Sequence, residues 1–456
     1  MESATPSGTS QWRHRPFPEL MRLAWPIVVS TLSYSVMTLS DTLFVGRLGA
    51  SALAGVGLGG VAAFTIMCFG FGLMRGVKIL ASQAVGAGRP ERAATWLSGG
   101  LVFAVTLGVV MLGVGRLVAG QLHHLTASLA AADAAETYLA IRMLAAPIVL
   151  TYVALREHRY GLGDTRKPMV ASIAGNLVNV ALDYVLIVHL GWGVAGAAWS
   201  TLVGHSVELS VLALRVPWTL SPVRVADLRA LWTVGLPTAL QFWLEVGSFA
   251  LLTTIISTTG ERQLAAHQIA LQVVHFCFLP TVALAEAAGV LTGHAVGAGE
   301  VRLVRRVARL AGTVGLVYMT ACTVGLVVGA PFIASVFTED PALRAVTVGL
   351  LWAGALFQIA DGAAVIARGV LRGTGDVRYP ALIGIVAAWV CTPPAAWLLG
   401  SVLGLGALGG WIGLCFEISA AAILFWWRLE RLGWLPHARR SRARQREESR
   451  LTIAVA

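Results

Sequence analysis

Three polar residues interrupt the apolar stretch NLVNVALDYVLIV (176–188): Asn176, Asn179 and Asp183. Their spacing of i, i+3 and i+7 puts them on one face of a helix. An acid at the centre of a membrane helix costs about 2.5–3.5 kcal/mol on the mild insertion scale, so its retention points to a role. Other apolar stretches carry similar interruptions. Asp41 lies fifteen residues after Pro26, whose missing N–H favours a kink. Gln241 and Glu245 sit at i, i+4, and Gln358 and Asp361 at i, i+3. Thr201, His205 and Glu208 form one polar stripe, and Gln268, Gln272 and His275 another at the same spacing. Carboxylates with amide and hydroxyl oxygens can hold Na+ or exchange protons. Each stripe also has a plainer reading, a structural hydrogen-bond network between helices. Phe242, Trp243 and Phe357 lie near the acids, where they either pack or stack on a flat cation.

These residues sit in a chain that is 57% hydrophobic and only 12% charged, with a mean hydropathy of +0.75. Soluble domains carry roughly 25% charged residues, so composition excludes a soluble protein. Apolar stretches long enough to span a bilayer predict twelve helices: about 20–45, 52–84, 95–117, 137–155, 168–189, 194–214, 232–257, 264–294, 310–336, 346–367, 380–399 and 407–427. With both termini inside, only Arg47, Arg116, Arg142, Arg262 and Arg344 of the 34 basic residues fall on outer segments. Arg75 and Lys78 fall within a span. The net charge of +11 is thus a topology signal and not a nucleic-acid footprint. The basic tail is placed to touch anionic lipid. The five cysteines all lie in spans without metal-ligand spacing. No signal peptide, phosphate-binding loop, nucleophile-elbow Ser or HExxH is present. An ion gradient is then the expected energy source.

The chain repeats itself. VGAG at 85–88 recurs 211 residues later at 296–299. Pro26 maps onto Pro237 and Leu53 onto Leu264 at that shift. GLGDTRKP (161–168) matches GTGDVRYP (373–380), and GWGVAG (191–196) matches GLGALG (404–409). Ordered matches at a nearly constant shift indicate duplication. Six spans per repeat, an even number, make the repeats parallel, with ligand sites expected between them near mid-bilayer. The organisation expected is a tail (1–19), an N-lobe (20–214), a cytoplasmic linker (215–231), a C-lobe (232–427) and a basic tail (428–456). Asp183 falls against Pro394 or Ala395 of the second half, so the repeated fold does not itself require this acid.

These strings resemble the multidrug and toxic compound extrusion (MATE) transporters, nearest the NorM and DinF-like branches. LAWPIVVSTLSYSVMTLSDTLFVGRLGASALAGVGL looks like that family's first helix, and SQAVGAGRPERA like its second-helix exit. GLPTALQFWLEVGSFALLTTIISTTGERQLAAHQIALQV is similar to its seventh and eighth helices, and FQIADGAAVIARGVLRGTGD to its tenth. The resemblance spans roughly residues 15–430. It implies an all-α integral membrane protein with two six-helix lobes around a central V-shaped cavity. It implies a secondary antiporter in a bacterial inner membrane, a monomer with no cofactor. Such a protein exports a small organic, cationic compound against H+ or Na+.

By this resemblance Asp41, Asn179, Asp183 and Thr201 form an N-lobe cation site. Glu245 and Asp361, with Gln241 and Gln358, serve cation and substrate in the C-lobe. His205, Glu208, Gln272 and His275 are candidate cavity-lining residues. The plainer reading leaves Asp41 solvated at the outer end of its helix and Asp183 in a structural contact with Asn179.

Other functions remain in view: a lipid-linked glycan flippase, an exporter of an anionic or zwitterionic metabolite, and a membrane-embedded acyltransferase using His158 and Asp164. The acyltransferase reading is weakened because HRYGLGD falls on the repeated GxGD loop, a turn.

Arg75 lies ten residues before VGAG, about 15 Å inward at 1.5 Å per residue. An Arg that deep calls for a partner. Its repeat counterpart is Glu286, which suggests an inter-lobe gate of Arg75 and Glu286 with Lys78 beside it. If so, combining Arg75→Glu with Glu286→Arg restores the transport that either single change removes. A folded but inactive double variant would sink the pairing.

Overall fold

The computed structural model describes residues 15–124, 128–214 and 221–455, and side chains through residue 446. The first fourteen residues and linker residues 215–220 therefore lie outside the description. The described chain is almost wholly helical, as hydrocarbon demands, because lipid offers no partner to an unpaired backbone N–H or C=O. The first half comprises α1 (Pro16–Gly46), α2 (Ala50–Gly86), α3 (Pro90–Ala119), α4 (Leu129–Leu144), α5 (Ala146–Gly161), α6 (Arg166–Asp183) and α7 (Gly193–Ala213). The second half comprises α8 (Val225–Thr258), α9 (Glu261–Ala298), α10 (Val301–Phe337), α11 (Pro341–Gly373), α12 (Arg378–Ala395) and α13 (Ala407–Glu430).

Among the described residues ten helices are long and apolar enough to cross a membrane. The α4–α5 pair makes an eleventh if its 48° bend is counted as one span. Pro147 near the start of α5 has no N–H to continue the ladder, which accounts for the break. The helix left out of that count, α7 at the sixth expected span, carries Ser200, Thr201, His205, Ser206 and Glu208. On α3, Val105, Val109 and Val110 are exposed, as are Val317, Val328 and Phe332 on α10. Such surfaces suit lipid and not water.

The duplication is written into the backbone. Among the described residues ten glycines have positive φ, and they form five pairs at the repeat shift: Gly49 with Gly260, Gly88 with Gly299, Gly163 with Gly375, Gly191 with Gly404, and Gly193 with Gly406. In the GxGD loops Gly163 (φ 78°) and Gly375 (φ 86°) hold a left-handed turn that a Cβ would strain. Two π-helical segments also correspond: Tyr184–His189 follows α6, and Ala396–Val402 follows α12.

Two compact units separate by packing. One contains Trp25–Val85 and Arg89–Ala239, and the other Met1–Ala24, Gly86–Gly88 and Leu240–Ala456. The division falls inside α8. Its first part packs with the N-terminal unit, where Arg92 bonds Asp227 at 2.9 Å. Leu73, Met111, Leu139, Met143 and Leu150 are core residues of the N-terminal unit. Trp411, Phe357, Leu351 and Leu326 hold that place in the C-terminal unit. The segment read from sequence as a basic tail is helical from Leu435, α14 (Leu435–Val455). Six of its residues are Arg and three are Ala, both favourable in helices. Before it, buried Trp434 donates to the Leu429 carbonyl at 3.1 Å.

Glycines set the approach of α6 and α7. A Cβ on Gly175 would lie 2.6 Å from the Gly204 carbonyl and would strike the Glu208 side chain. Gly175→Val is expected to cost about 1–3 kcal/mol through overpacking. Thermal unfolding in detergent measures it; an unchanged midpoint would show that the two helices separate freely.

Candidate functional site

In the N-terminal unit the interrupting face of α6 meets α1 and α7. Asn179 and Asp183 are fully buried. Asn179 Nδ2 donates to Ser200 Oγ at 3.4 Å and to Thr201 Oγ1 at 3.5 Å. The Ser200 hydroxyl makes a short hydrogen bond to Asp183 Oδ1. Asp41, on α1, interacts directly with the Asp183 carboxyl and with Asn179. Asn176 Nδ2 donates to Ser33 Oγ at 2.8 Å, tying α6 to α1. The structure thus gathers all four residues of the expected N-lobe set. It adds Ser200, which faces the same way as Thr201 toward α6, and Ser33. Asp41 Oδ1, Asn179 Oδ1 and Asp183 Oδ2 are buried acceptors without a donor. Three such oxygens, on side chains that interact with one another, suit a proton or a small hard cation as their missing positive partner. Among the described residues no three His, Cys, Asp or Glu side chains cluster as metal ligands.

Arg142 had been read only as an outer topology charge. Its guanidinium acts electrostatically on Asp41 and stacks 5.9 Å from the Tyr138 ring centroid. Farther along α7, His205 Nδ1 lies 2.8 Å from Glu208 Oε2, so this stripe is an internal pair. Lys78 is engaged within its own unit, 3.2 Å from Glu157, which Arg156 also holds at 3.1 Å. Arg75 stands within electrostatic reach of that same Glu157. Glu286, on α9, is half-buried. Asp164 pairs with Arg159 and Lys167, which leaves His158 outside its ion pairs and removes the geometry a His–Asp catalyst needs.

The C-terminal unit holds a second polar cluster. Glu245 Oε1 accepts from Gln241 Nε2 at 2.8 Å, and Glu245 Oε2 accepts from Arg368 at 3.2 Å. Arg372 donates to Gln241 Oε1 at 2.9 Å. Gly384 of α12 backs this group; a Cβ there would lie 2.7 Å from Glu245 Oε1. Asp361 is half-buried on α11. Its expected neighbour Gln358 is fully buried with both amide atoms unpartnered, so the two do not bond. Glu417 of α13 bonds Thr392 of α12 and acts on both Asp361 and Glu245. Phe357 is core, 5.9 Å from Trp411, whereas Trp243 is exposed. Gln268, Gln272 and His275 share an exposed face of α9.

Sequence reasoning missed Arg368, Arg372 and Glu417. Glu417 is an acid inside the apolar run FEISAAAILFWW, so the rule that found Asp183 would have found it. Arg368 follows Asp361 by seven residues, on the same helix face.

The MatE family model matches residues 26–185 and 237–398, one block in each half. The chain belongs to the MatE family. It is 34% identical over 443 residues to a probable multidrug resistance protein NorM of Pseudomonas putida, covering 91% of this chain and 95% of that protein. It is 30% identical over 450 residues to the multidrug resistance protein MdtK of Edwardsiella ictaluri, covering 94% and 97%. Among solved structures, an outward-facing multidrug resistance MATE family transporter of the MOP superfamily superposes with a TM-score of 0.86. At 24% identity it covers 97% of this chain and 99% of that one. That likeness shows the MATE fold.

Ser200 gives the N-terminal site its simplest test. Ser200→Ala strands a buried Asp183 oxygen and is expected to destabilise by about 1–3 kcal/mol, while Ser200→Thr keeps a hydroxyl. Unfolding in detergent distinguishes them; equal midpoints for both variants would remove the bond's importance.

Proposed function

We propose that this member of the MatE family is a secondary antiporter that exports small organic cations in exchange for H+ or Na+. The observation that carries the reading is the pair of half-buried Asp41 and fully buried Asp183, braced by Asn179, Ser200 and Thr201. Two carboxylates facing each other in a low-dielectric interior repel strongly. A proton or Na+ between them relieves that repulsion, so the pair has two charge states, each favouring different surroundings. Coupling follows when the two states favour different arrangements of the helices around them. The relatives are named as multidrug resistance proteins and not as enzymes, which supports organic compounds as cargo.

In this reading Glu245 and Asp361, with Gln241 and Gln358, carry the negative charge that attracts an organic cation in the C-terminal unit. Ion and cargo compete for negative potential, so arrival of one promotes release of the other. The chain works as a monomer in the bacterial inner membrane. Both termini face the cytoplasm, a placement supported by the scarcity of Arg and Lys on the outer segments.

Asp183→Asn is expected to abolish export while leaving membrane insertion intact, because the side chain keeps its size and loses its switchable charge. Dye efflux from cells, with and without Na+ at two pH values, reads both the loss and the coupling ion. Efflux at the wild-type rate from Asp183→Asn cells would overturn the assignment.

A further inference from the structure

Glu245 has a partner that no mobile ion can match in persistence. Arg368 reaches from α11 to within 3.2 Å of Glu245 Oε2, and its guanidinium lies 5.7 Å from the Phe425 ring centroid. Gln241 occupies the other carboxylate oxygen and is itself held by Arg372. Both oxygens of the acid that would receive a cation are therefore already bonded by groups of the chain. Arg368 also acts on Asp361 and Glu417, the remaining carboxyls of the cluster.

We propose that Arg368 is a tethered cation that makes this C-terminal acid cluster answer to protons and exclude Na+. The inference rests on the antiporter reading of Glu245 and Asp361. A guanidinium neither leaves nor loses its charge at any physiological pH. Na+ needs several oxygen ligands at once and would have to share Glu245 with a fixed positive charge. A proton needs one oxygen and no coordination shell, and Asp361 and Glu417 each offer one.

The surrounding elements agree. α8 presents Gln241 and Glu245; α11 presents Gln358, Asp361, Arg368 and Arg372; α12 presents Thr392; α13 presents Glu417. Beside Asp361, α9 and α10 bring the uncharged Thr281 and Met319 against Gly362. Arg368 is a positioning residue here: it sets which ion the acids accept without itself carrying the ion.

The test is ion binding by the full-length protein purified in detergent. Every form carries Asp183→Asn, so that the N-terminal carboxyl pair cannot answer Na+. Thermal unfolding is compared in NaCl and in choline chloride at equal ionic strength and alkaline pH. With Arg368 in place, no Na+-specific rise in Tm is expected. With Arg368→Met, a saturable rise with Na+ is expected, and Arg368→Lys restores its absence. A Na+-dependent rise with Arg368 in place overturns the proposal, and so does its absence in folded Arg368→Met. The first arm needs no change at Arg368, so it decides even if that variant fails to fold. Because the readout is binding and not flux, this result stands apart from the efflux assay that tests antiport itself.

Discussion

Every buried charge in this chain is governed by one constraint. A carboxylate taken into a membrane must be neutralised, by a partner or by an ion. The two units meet that constraint differently. In the N-terminal unit Asp41 and Asp183 face each other; their hydrogen-bond partners are neutral, an amide and hydroxyls, while Arg142 acts on Asp41 electrostatically. One guanidinium does not balance two carboxylates, so the pair still needs something positive from outside. In the C-terminal unit the positive charge is covalently attached at Arg368. The difference lies in where the compensating charge comes from, not in how many acids are present.

The same helix pair is used in both halves, with its partners exchanged. In the first half the acid, Asp183, is on α6, and its hydroxyl, Ser200, is on α7. In the second half the hydroxyl, Thr392, is on α12, and the acid, Glu417, is on α13. In each pair an acid of one helix meets a hydroxyl of the other, and the fold does not dictate which helix supplies which.

Much of this was legible in the sequence because hydrocarbon is an unforgiving solvent. Span positions followed from the lengths of apolar runs, the duplication from strings that recur at a near-constant shift, and the first members of the N-terminal cluster from polar residues that break an apolar run. Asp183 and Asn179 stood out for that reason, and α6 delivers them to one place. Arg368 and Arg372 were harder to read, since they lie near a helix end where Arg and Lys are ordinary. Ser200 was hidden by its chemistry: a Ser in a helix commonly bonds its own backbone, and Ser200 also lies 2.8 Å from the Ala197 carbonyl. The helix at Leu435–Val455 gave no signal, because its sequence is too polar to show an apolar period and composition alone marks it as basic.

The paired left-handed glycines carry a consequence for how such a chain diverges. They fix five corners of each half through φ values only glycine adopts at little cost. A corner held by backbone stereochemistry asks nothing of the side chains between corners. The frame and the chemical load are therefore inherited separately. The position of Asp183 is proline or alanine in the second half, yet the chain keeps the same path there. A lesion at a corner should disable either half in the same manner, whereas a lesion at an acid is felt in one half alone. Duplication in this chain has left two copies of one scaffold, each carrying its own set of acids.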